Sequence, residues 1–411
     1  MAIFRPFRAF RPLPQYAQEV AAKPYDVLNS DEAREEVKGH PLSFLHVGKP
    51  EIDLDQGINL YDPKVYEKGK ENLMKLIKDG ILKEDPEPYF YVYAQTMNGR
   101  TQYGLVGCAS VDDYLKDVIK KHENTRKDKE EDRSNHVRIT NSHSGPIFLT
   151  YRDNDEINKI VSQNTKDKPE IDLTALDGIR HQCWVIRDKN TIEKIRTILA
   201  GVPNFYVADG HHRSAAAGIV GRERQKANPN HRGDEEYNFF LAVLFPASHL
   251  YIMDYNRLIK DLNGLTKEEF FEKLKKHFTL SESRFKPSKK GEIGMYIDGK
   301  WFQLKINDEL LNNPDPVESL DVAILQKFVN NEILGIEDPR TSKRIDFVGG
   351  IRGLEELERR VNSGEMKIAF AMYPTSVDEL MKIADAGKTM PPKSTWFEPK
   401  LRDGLFVHFL D

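Results

Sequence analysis

The stretch that organises this chain reads NFYVADGHHRSAAA over Asn204–Ala217. Aromatic and β-branched residues at Phe205–Val207 favour a buried strand, and the alanine run at the end of the stretch favours a helix. Gly210 permits a sharp turn between them, because glycine readily adopts a positive φ. The stretch therefore predicts a strand, a polar turn and a helix that begins near Ser214.

The turn itself holds an acid, two imidazoles and a guanidinium in Asp209–Arg213. A helix N-terminus offers backbone N–H groups and the positive end of its dipole, so it attracts anions, and cationic side chains strengthen the attraction. We therefore predict a phosphate or nucleotide site in the residues that follow Asp209, namely Gly210, His211, His212, Arg213 and Ser214. The alternative is a corner whose charged side chains are only solvated and whose Asp209 caps the helix.

Composition narrows the class of protein. The 411 residues are 39% hydrophobic and 31% charged, which is typical of a globular protein with two or three domains. The net charge of −4 argues against a nucleic-acid binder, and no apolar run reaches transmembrane length. Two cysteines, Cys108 and Cys183, favour a reducing compartment. We expect a cytoplasmic protein with small-molecule partners, without nucleic acid or membrane; its oligomeric state is not predicted.

The order of patterns along the chain predicts a mixed α/β fold. Strand and helix patterns alternate up to about residue 255, and residues 256–411 read as a separate C-terminal α+β portion. Asn98-Gly99 predicts a hairpin turn, and the apolar run Phe239–Phe245 predicts a central strand. Ser43–Val47 reads as a short strand, and Ser30 as the N-cap of a helix.

Two short segments resemble a known family. Asp209–Arg213 resembles the Asp-Gly-His-His-Arg box of the ParB-like free-serine kinases, which belong to the ParB/sulfiredoxin superfamily. Lys23–Asp26, with the sequence KPYD, resembles the Lys-Pro-His-Glu segment of those kinases, in which the acid is the catalytic base. Over its whole length the chain is similar to a large bacterial and archaeal family labelled as a domain of unknown function. The resemblance implies a ParB/sulfiredoxin-like core in residues 1–255, with a large insertion at about 50–175.

The same resemblance implies a reaction. Asp26 takes the place of the base, Asp209 and His211 join it in catalysis, and Asp209 also ligates Mg²⁺. The implied reaction transfers a phosphoryl group between a nucleotide, ADP or ATP, and a small hydroxy amino acid, with free serine as the first candidate. Dephosphorylation of phosphoserine and nucleotide binding without turnover are the alternatives. Sulfiredoxins have Cys where this chain has His211, so their redox chemistry is not expected.

Two further groups are candidates for second contacts to a ligand. His181 lies in an apolar strand pattern close upstream of the box, where a structural role is the alternative. Lys393, Ser394 and Thr395 follow two prolines and offer a cation and two hydroxyls. The alternative for these three is a rigid segment that docks through the aromatic residues beyond it. The sequence contains no Walker loop and no dinucleotide-binding glycine motif after a strand.

Overall fold

Residues 2–411, which the computed structural model describes, form two units that each have their own sheet. The first unit extends to Lys121, resumes over Thr125–Leu250 and includes Pro399–Asp411. The second unit consists of His122–Asn124 and Tyr251–Glu398. The sequence prediction assigned all of 256–411 to a C-terminal domain, whereas the structure returns residues 399–411 to the first unit.

The described residues form many strands and many helices, which confirms the predicted mixed α/β class. The strands are β1 Phe4–Arg5, β2 Phe10–Pro12, β3 Leu82–Glu84, β4 Phe90–Met97, β5 Arg100–Ser110, β6 Ile119–Lys120, β7 Ser142–His143, β8 Ile147–Tyr151, β9 Ile171–Thr174, β10 Arg180–Ile186, β11 Phe205–Asp209, β12 Phe239–Pro246, β13 Ile252–Met253, β14 Tyr255–Ile259, β15 Phe278–Glu282, β16 Glu292–Ile297, β17 Lys300–Ile306, β18 Ile345–Gly349, β19 Ile368–Ala371, β20 Trp396–Phe397 and β21 His408–Phe409. The helices are α1 Ala17–Val20, α2 Ser30–Glu36, α3 Leu45–Gly48, α4 Pro63–Lys78, α5 Val111–Leu115, α6 Lys127–Thr140, α7 Asp155–Asn164, α8 Lys189–Ala200, α9 His211–Ala227, α10 Lys267–Leu274, α11 Asp308–Leu311, α12 Asp321–Ile324, α13 Gly353–Asn362 and α14 Val377–Asp385.

A nine-stranded mixed sheet forms the centre of the first unit. Its strand order is β6-β11-β8-β12-β5-β4-β10-β9, and β1 pairs with the end of β5 on the edge opposite to β12. Strand β12 is parallel to β8 and antiparallel to β5, and all of its residues are buried. The predicted hairpin joins β4 to β5, with Asn98 at φ 51° and Gly99 at φ 76°. Both positive φ values are those that a tight two-residue hairpin turn requires.

The core of the first unit packs on one face of this sheet. Apolar side chains of β8, β11 and β12 meet those of α7 and α8 there, including Leu149, Val207 and Leu244 from the strands and Ile160 and Ile195 from the helices. Side chains at alternate positions of the same strands point to the opposite face. The two faces of β8 therefore have different surroundings.

The second unit has a six-stranded antiparallel sheet, in the order β15-β17-β16-β19-β14-β18. Its apolar core includes Leu258, Tyr296, Trp301 and Leu357. Helix α12 continues as a π-helix over Leu325–Asn331.

Two local predictions were wrong. Ser43–Val47 is not a strand, because Leu45–Gly48 forms helix α3; an apolar run this short does not distinguish a strand from a buried helical turn. Helix α2 is capped by Asn29 and not by Ser30. Asn29 has a glutamate three residues later, Glu32, and the two form a reciprocal capping box. Among residues 2–411, no helix combines the length and the hydrophobicity that crossing a lipid bilayer requires.

Candidate active site

The corner predicted from the sequence is built from β11, Gly210 and α9. Gly210 has φ 92°, a conformation that other residues rarely adopt, and it is the N-cap of the helix. Helix α9 begins at His211, three residues earlier than predicted. The carboxylate of Asp209 accepts from the Gly210 N–H (2.8 Å) and does not cap the helix. The alternative reading of Asp209 as the helix cap therefore does not hold.

One cleft in the first unit brings together the two carboxylates to which the family resemblance assigned a role. Asp26 and Asp209 both line it, although 183 positions separate them in the sequence. Gly210 and Arg213 line it as well, and Lys400 adds a second cation. The remaining lining residues are apolar, namely Pro24, Pro146, Phe148 and Leu401. The cleft thus combines two carboxylates with two cationic side chains at the beginning of a helix.

Lys400 is the direct partner of Asp209. Its Nζ atom lies 2.8 Å from Oδ2 of Asp209, while Oδ1 of that carboxylate accepts from the Gly210 N–H. Burial alone would raise the pKa of Asp209, but the Lys400 ammonium group outweighs it and lowers the pKa to about 2. Asp209 is therefore ionised throughout the neutral range.

Arg213 is held in place by a bidentate ion pair with Asp403. Nη1 and Nη2 of Arg213 each lie 3.0 Å from an oxygen of Asp403, and Nη1 also donates to the carbonyl oxygen of Pro146. Both side chains are largely buried, at 15% and 6% exposure. Burial opposes the charge of Arg213, but the Asp403 carboxylate holds its pKa above the usual value. A guanidinium carries more N–H donors than these bonds use, so Arg213 retains donors for a ligand.

Tyr25 connects the two sequence segments of the resemblance. The guanidinium of Arg213 lies 5.3 Å from the centre of the Tyr25 ring, and that of Arg133 lies 4.0 Å from it. Cations near aromatic faces are attracted by the quadrupole of the ring. Tyr25 is the neighbour of Asp26 in the chain, so these contacts fix the segment that carries the proposed base.

The other predicted phosphate ligands do not line the cleft. His211 is 8% exposed, and burial lowers its pKa to about 4 despite the opposing Asp209 charge, so its imidazole is neutral at pH 7. Nε2 of His212 accepts from the Arg126 N–H (3.2 Å). The buried hydroxyl of Ser214 donates to the Gly210 carbonyl oxygen (3.1 Å), as is common inside helices.

His181 has an extensive set of structural contacts. It is completely buried in β10, where Nδ1 lies 2.7 Å from the Tyr93 hydroxyl and Nε2 accepts from Nε of Arg402 (3.3 Å). Burial and Arg402 lower its pKa to about 3. His181 thereby holds Arg402 and the segment that also contains Lys400. Its role as a second contact to a ligand stays a prediction.

Lys393, Ser394 and Thr395 belong to the second unit. Within it, the Lys393 carbonyl accepts from Arg257 (3.1 Å), and the Ser394 hydroxyl donates to the Pro391 carbonyl (2.6 Å). Their role as second contacts stays a prediction.

Asp209 is the predicted magnesium ligand. Mg²⁺ is usually held by one or two carboxylates together with substrate phosphates. Asp209, however, already has a cation at 2.8 Å, the ammonium group of Lys400. The surroundings of Asp209 therefore fit an ammonium group better than Mg²⁺.

Sequence reasoning did not find Lys400 and Asp403. They lie close to residue 411, whereas their partners Asp209 and Arg213 lie about 190 positions earlier. The only local signal is the cluster of three charged residues in Lys400–Asp403, and nothing in it specifies a partner.

Comparison with known proteins gives a family and several solved structures. The family described as "Protein of unknown function (DUF1015)" matches residues 4–323. Similar solved structures include a conserved hypothetical protein from Pyrococcus furiosus (16% identity, TM-score 0.37), a free serine kinase in complex with AMP (15%, 0.38) and C-terminally truncated SbnI from Staphylococcus aureus (12%, 0.40). In the same order they cover 73%, 72% and 74% of this chain and 94%, 90% and 87% of their own. No curated protein matches.

Proposed function

The chain belongs to the DUF1015 family, and from that premise and the geometry of the cleft we propose that it transfers a phosphoryl group between a nucleotide and a small hydroxy amino acid. One observation carries the proposal: Asp26, Asp209, Arg213 and Lys400 line one cleft at the beginning of a helix. The resemblance of Asp209–Arg213 and of Lys23–Asp26 to free-serine kinase segments supports free serine as the acceptor.

Each charged group has a role that follows from its surroundings. Phosphoryl transfer depends on positioning and on neutralisation of the phosphate charge. Arg213 and Lys400 supply fixed positive charge, and the start of α9 supplies backbone N–H groups. Asp209 holds Lys400 in place through the 2.8 Å contact. His211 contributes no charge at pH 7, because its imidazole is neutral.

The proposed step balances as follows. Asp26 accepts the proton of the serine hydroxyl, and the serine oxygen forms a bond to the terminal phosphorus of the nucleotide. The bond between that phosphorus and the bridging oxygen breaks, and the shortened nucleotide leaves with the electron pair. The reverse sequence transfers the phosphoryl group from phosphoserine to the nucleotide. With water as the acceptor, the same cleft would dephosphorylate phosphoserine.

The experiment follows the phosphorus. In the forward direction, the whole chain is incubated with serine and either ADP or ATP in the presence of Mg²⁺. In the reverse direction, it is incubated with phosphoserine alone or together with AMP or ADP. The products of each mixture are followed by ³¹P NMR. The nucleotides are chosen because the free serine kinase structures contain AMP and ADP. We expect phosphoserine to form from serine. If no arm yields a product while a nucleotide binds, the chain is a nucleotide-binding protein and the enzymatic proposal is wrong.

Asp26→Asn tests the base. General base catalysis typically contributes roughly 10²- to 10⁴-fold, so we expect a loss of kcat in that range with nucleotide affinity retained. Asp55→Asn, an exposed acid outside the cleft, is the matched control and should be fully active. An active Asp26→Asn variant would remove Asp26 from the mechanism.

A further inference from the structure

A second cavity lies in the first unit, between helix α7 and the large sheet. It encloses about 290 Å³, near the lower end of the range for small-molecule sites, roughly 300–1,000 Å³. It lies against the sheet face opposite to the cleft, because Phe148 lines the cleft whereas Tyr151, three residues along β8, lines the cavity. None of the residues that take part in the proposed phosphoryl transfer lines it.

The cavity has an uncharged lining. Leu105, Ile157, Val161 and Leu244 supply apolar surface, and no Asp, Glu, Lys or Arg is present among the lining residues. Burying a charged ligand without a partner is costly. The lining therefore selects against nucleotides, amino acids and other ions.

Tyr151 contributes a phenol to the wall of the cavity. It is 1% exposed and lies in β8. Burial raises the pKa of Tyr151, so the phenol stays protonated. A protonated phenol both donates and accepts hydrogen bonds, so it suits a ligand with polar atoms at its edge.

His249 supplies a donor of defined orientation. Its Nδ1 accepts from the Tyr103 N–H (3.3 Å), so the proton of the neutral ring resides on Nε2. Burial lowers the pKa of His249 and keeps the ring neutral. Asn158 adds a carboxamide, which both donates and accepts. The wall thus offers a phenol, an imidazole N–H and an amide to one ligand.

We propose that this cavity binds a small, uncharged, planar heterocycle of the nucleobase type. Such a ring presents flat apolar faces to the lining tyrosines Tyr103 and Tyr151, and acceptors and donors at its edge. The proposal does not depend on the phosphoryl-transfer activity, because the two sites share no lining residue.

Calorimetric titration of the whole chain tests the proposal with four probes. Adenine and uracil are neutral heterocycles, toluene is an apolar ring without polar atoms, and benzoate is a charged ring. We expect saturable binding of adenine or uracil and none of benzoate, with toluene weaker. The absence of binding by both heterocycles at millimolar concentration would overturn the proposal, as would equal binding of toluene or benzoate.

Tyr151→Phe identifies the site. Removal of the hydroxyl should weaken heterocycle binding by roughly 3- to 10-fold, and the Tm of the variant shows that it remains folded. Asn158→Leu should act in the same direction, and Tyr89→Phe, outside the cavity, should have no effect. Unchanged affinity in both cavity variants would place the heterocycle elsewhere and overturn the proposal. Asp26→Asn should retain full heterocycle binding even where phosphoryl transfer is lost.

Discussion

The ammonium group of Lys400 lies 2.8 Å from the carboxylate of Asp209, although 191 positions separate the two residues. The pair joins the segment after Pro399 to the end of β11 and places a cation where the resemblance placed a metal ion. The charge of Asp209 is therefore balanced by the protein itself, and the Lys400 ammonium group keeps this carboxylate ionised.

Lys400→Met should weaken phosphate binding and raise the pKa of Asp209. Charge-assisted hydrogen bonds contribute roughly 1.5–3 kcal/mol, so we expect about a 10- to 100-fold loss of affinity for ADP. The pKa of Asp209, about 2 in the native chain, should rise because burial is then opposed by the Gly210 N–H but no longer by the ammonium group. Carboxyl ¹³C NMR measures the shift. Lys166→Met, an exposed lysine, is the control, and an unchanged Asp209 pKa would contradict the assignment.

Arg213→Lys should reduce nucleotide affinity by at least tenfold while preserving the net charge. A lysine cannot reproduce the two parallel bonds that Arg213 makes to Asp403. Equilibrium binding of ADP measures the effect. Arg222→Lys, an exposed arginine on the same helix, is the matched control. Equal affinities of the two variants would show that Arg213 does not contact the ligand.

Gly145→Ala should impair the activity of the cleft, although Gly145 does not line it. A Cβ atom at this position would lie 2.3 Å from Nη1 of Arg213 and 2.7 Å from Oδ1 of Asp403. The ion pair must then move, and we expect a loss of about 1–3 kcal/mol in the free energy of unfolding together with reduced activity. Urea unfolding and the ³¹P assay measure the two effects. Gly201→Ala, with its nearest atom at 3.2 Å, should be mild in both.

Acid should destabilise the fold between about pH 6.5 and 4. Five buried histidines have lowered pKa values because burial disfavours the imidazolium form: His136 (about 4), His143, His181 (about 3), His211 (about 4) and His408. In this pH window the unfolded chain binds protons near its ordinary histidine pKa, about 6.5, and the native chain does not. The free energy of unfolding therefore falls as the pH decreases.

Urea unfolding at pH 7.5, 6.0 and 5.0 measures this slope. His181→Gln should make the slope shallower, whereas exposed His40→Gln should leave it unchanged. A free energy of unfolding that is independent of pH across the window would mean that these rings take up protons as readily in the native chain as in the unfolded chain.

Local backbone conformation could be predicted from the sequence wherever neighbouring residues determine it. Asn98-Gly99 forms the predicted hairpin, and the corner at Gly210 has the expected strand, turn and helix, because turn and capping preferences act over a few residues. Membership in a large family of unknown function was also predicted and is confirmed. Ser43–Val47 was misread because burial, and not propensity, decides the conformation of a short apolar run.

The long-range part of the site was not predictable in this way. No spacing rule connects Lys400 with Asp209 or Asp403 with Arg213, since those contacts depend on how the chain returns to the first unit. His212 and Ser214 belong to the predicted phosphate site, yet Nε2 of His212 and the hydroxyl of Ser214 make hydrogen bonds within the protein. Their roles at a ligand stay predictions.

The return of residues 399–411 to the first unit has a consequence for biosynthesis. A ribosome releases Asp209 and Arg213 long before Lys400 and Asp403, and Tyr251–Glu398 of the second unit emerges in the interval. Until then the nascent chain carries a buried guanidinium and a carboxylate without their partners. The cleft is therefore completed only after Tyr251–Glu398 has been synthesised, and a chain interrupted before residue 399 would contain Asp26 and Asp209–Arg213 but lack Lys400 and Asp403.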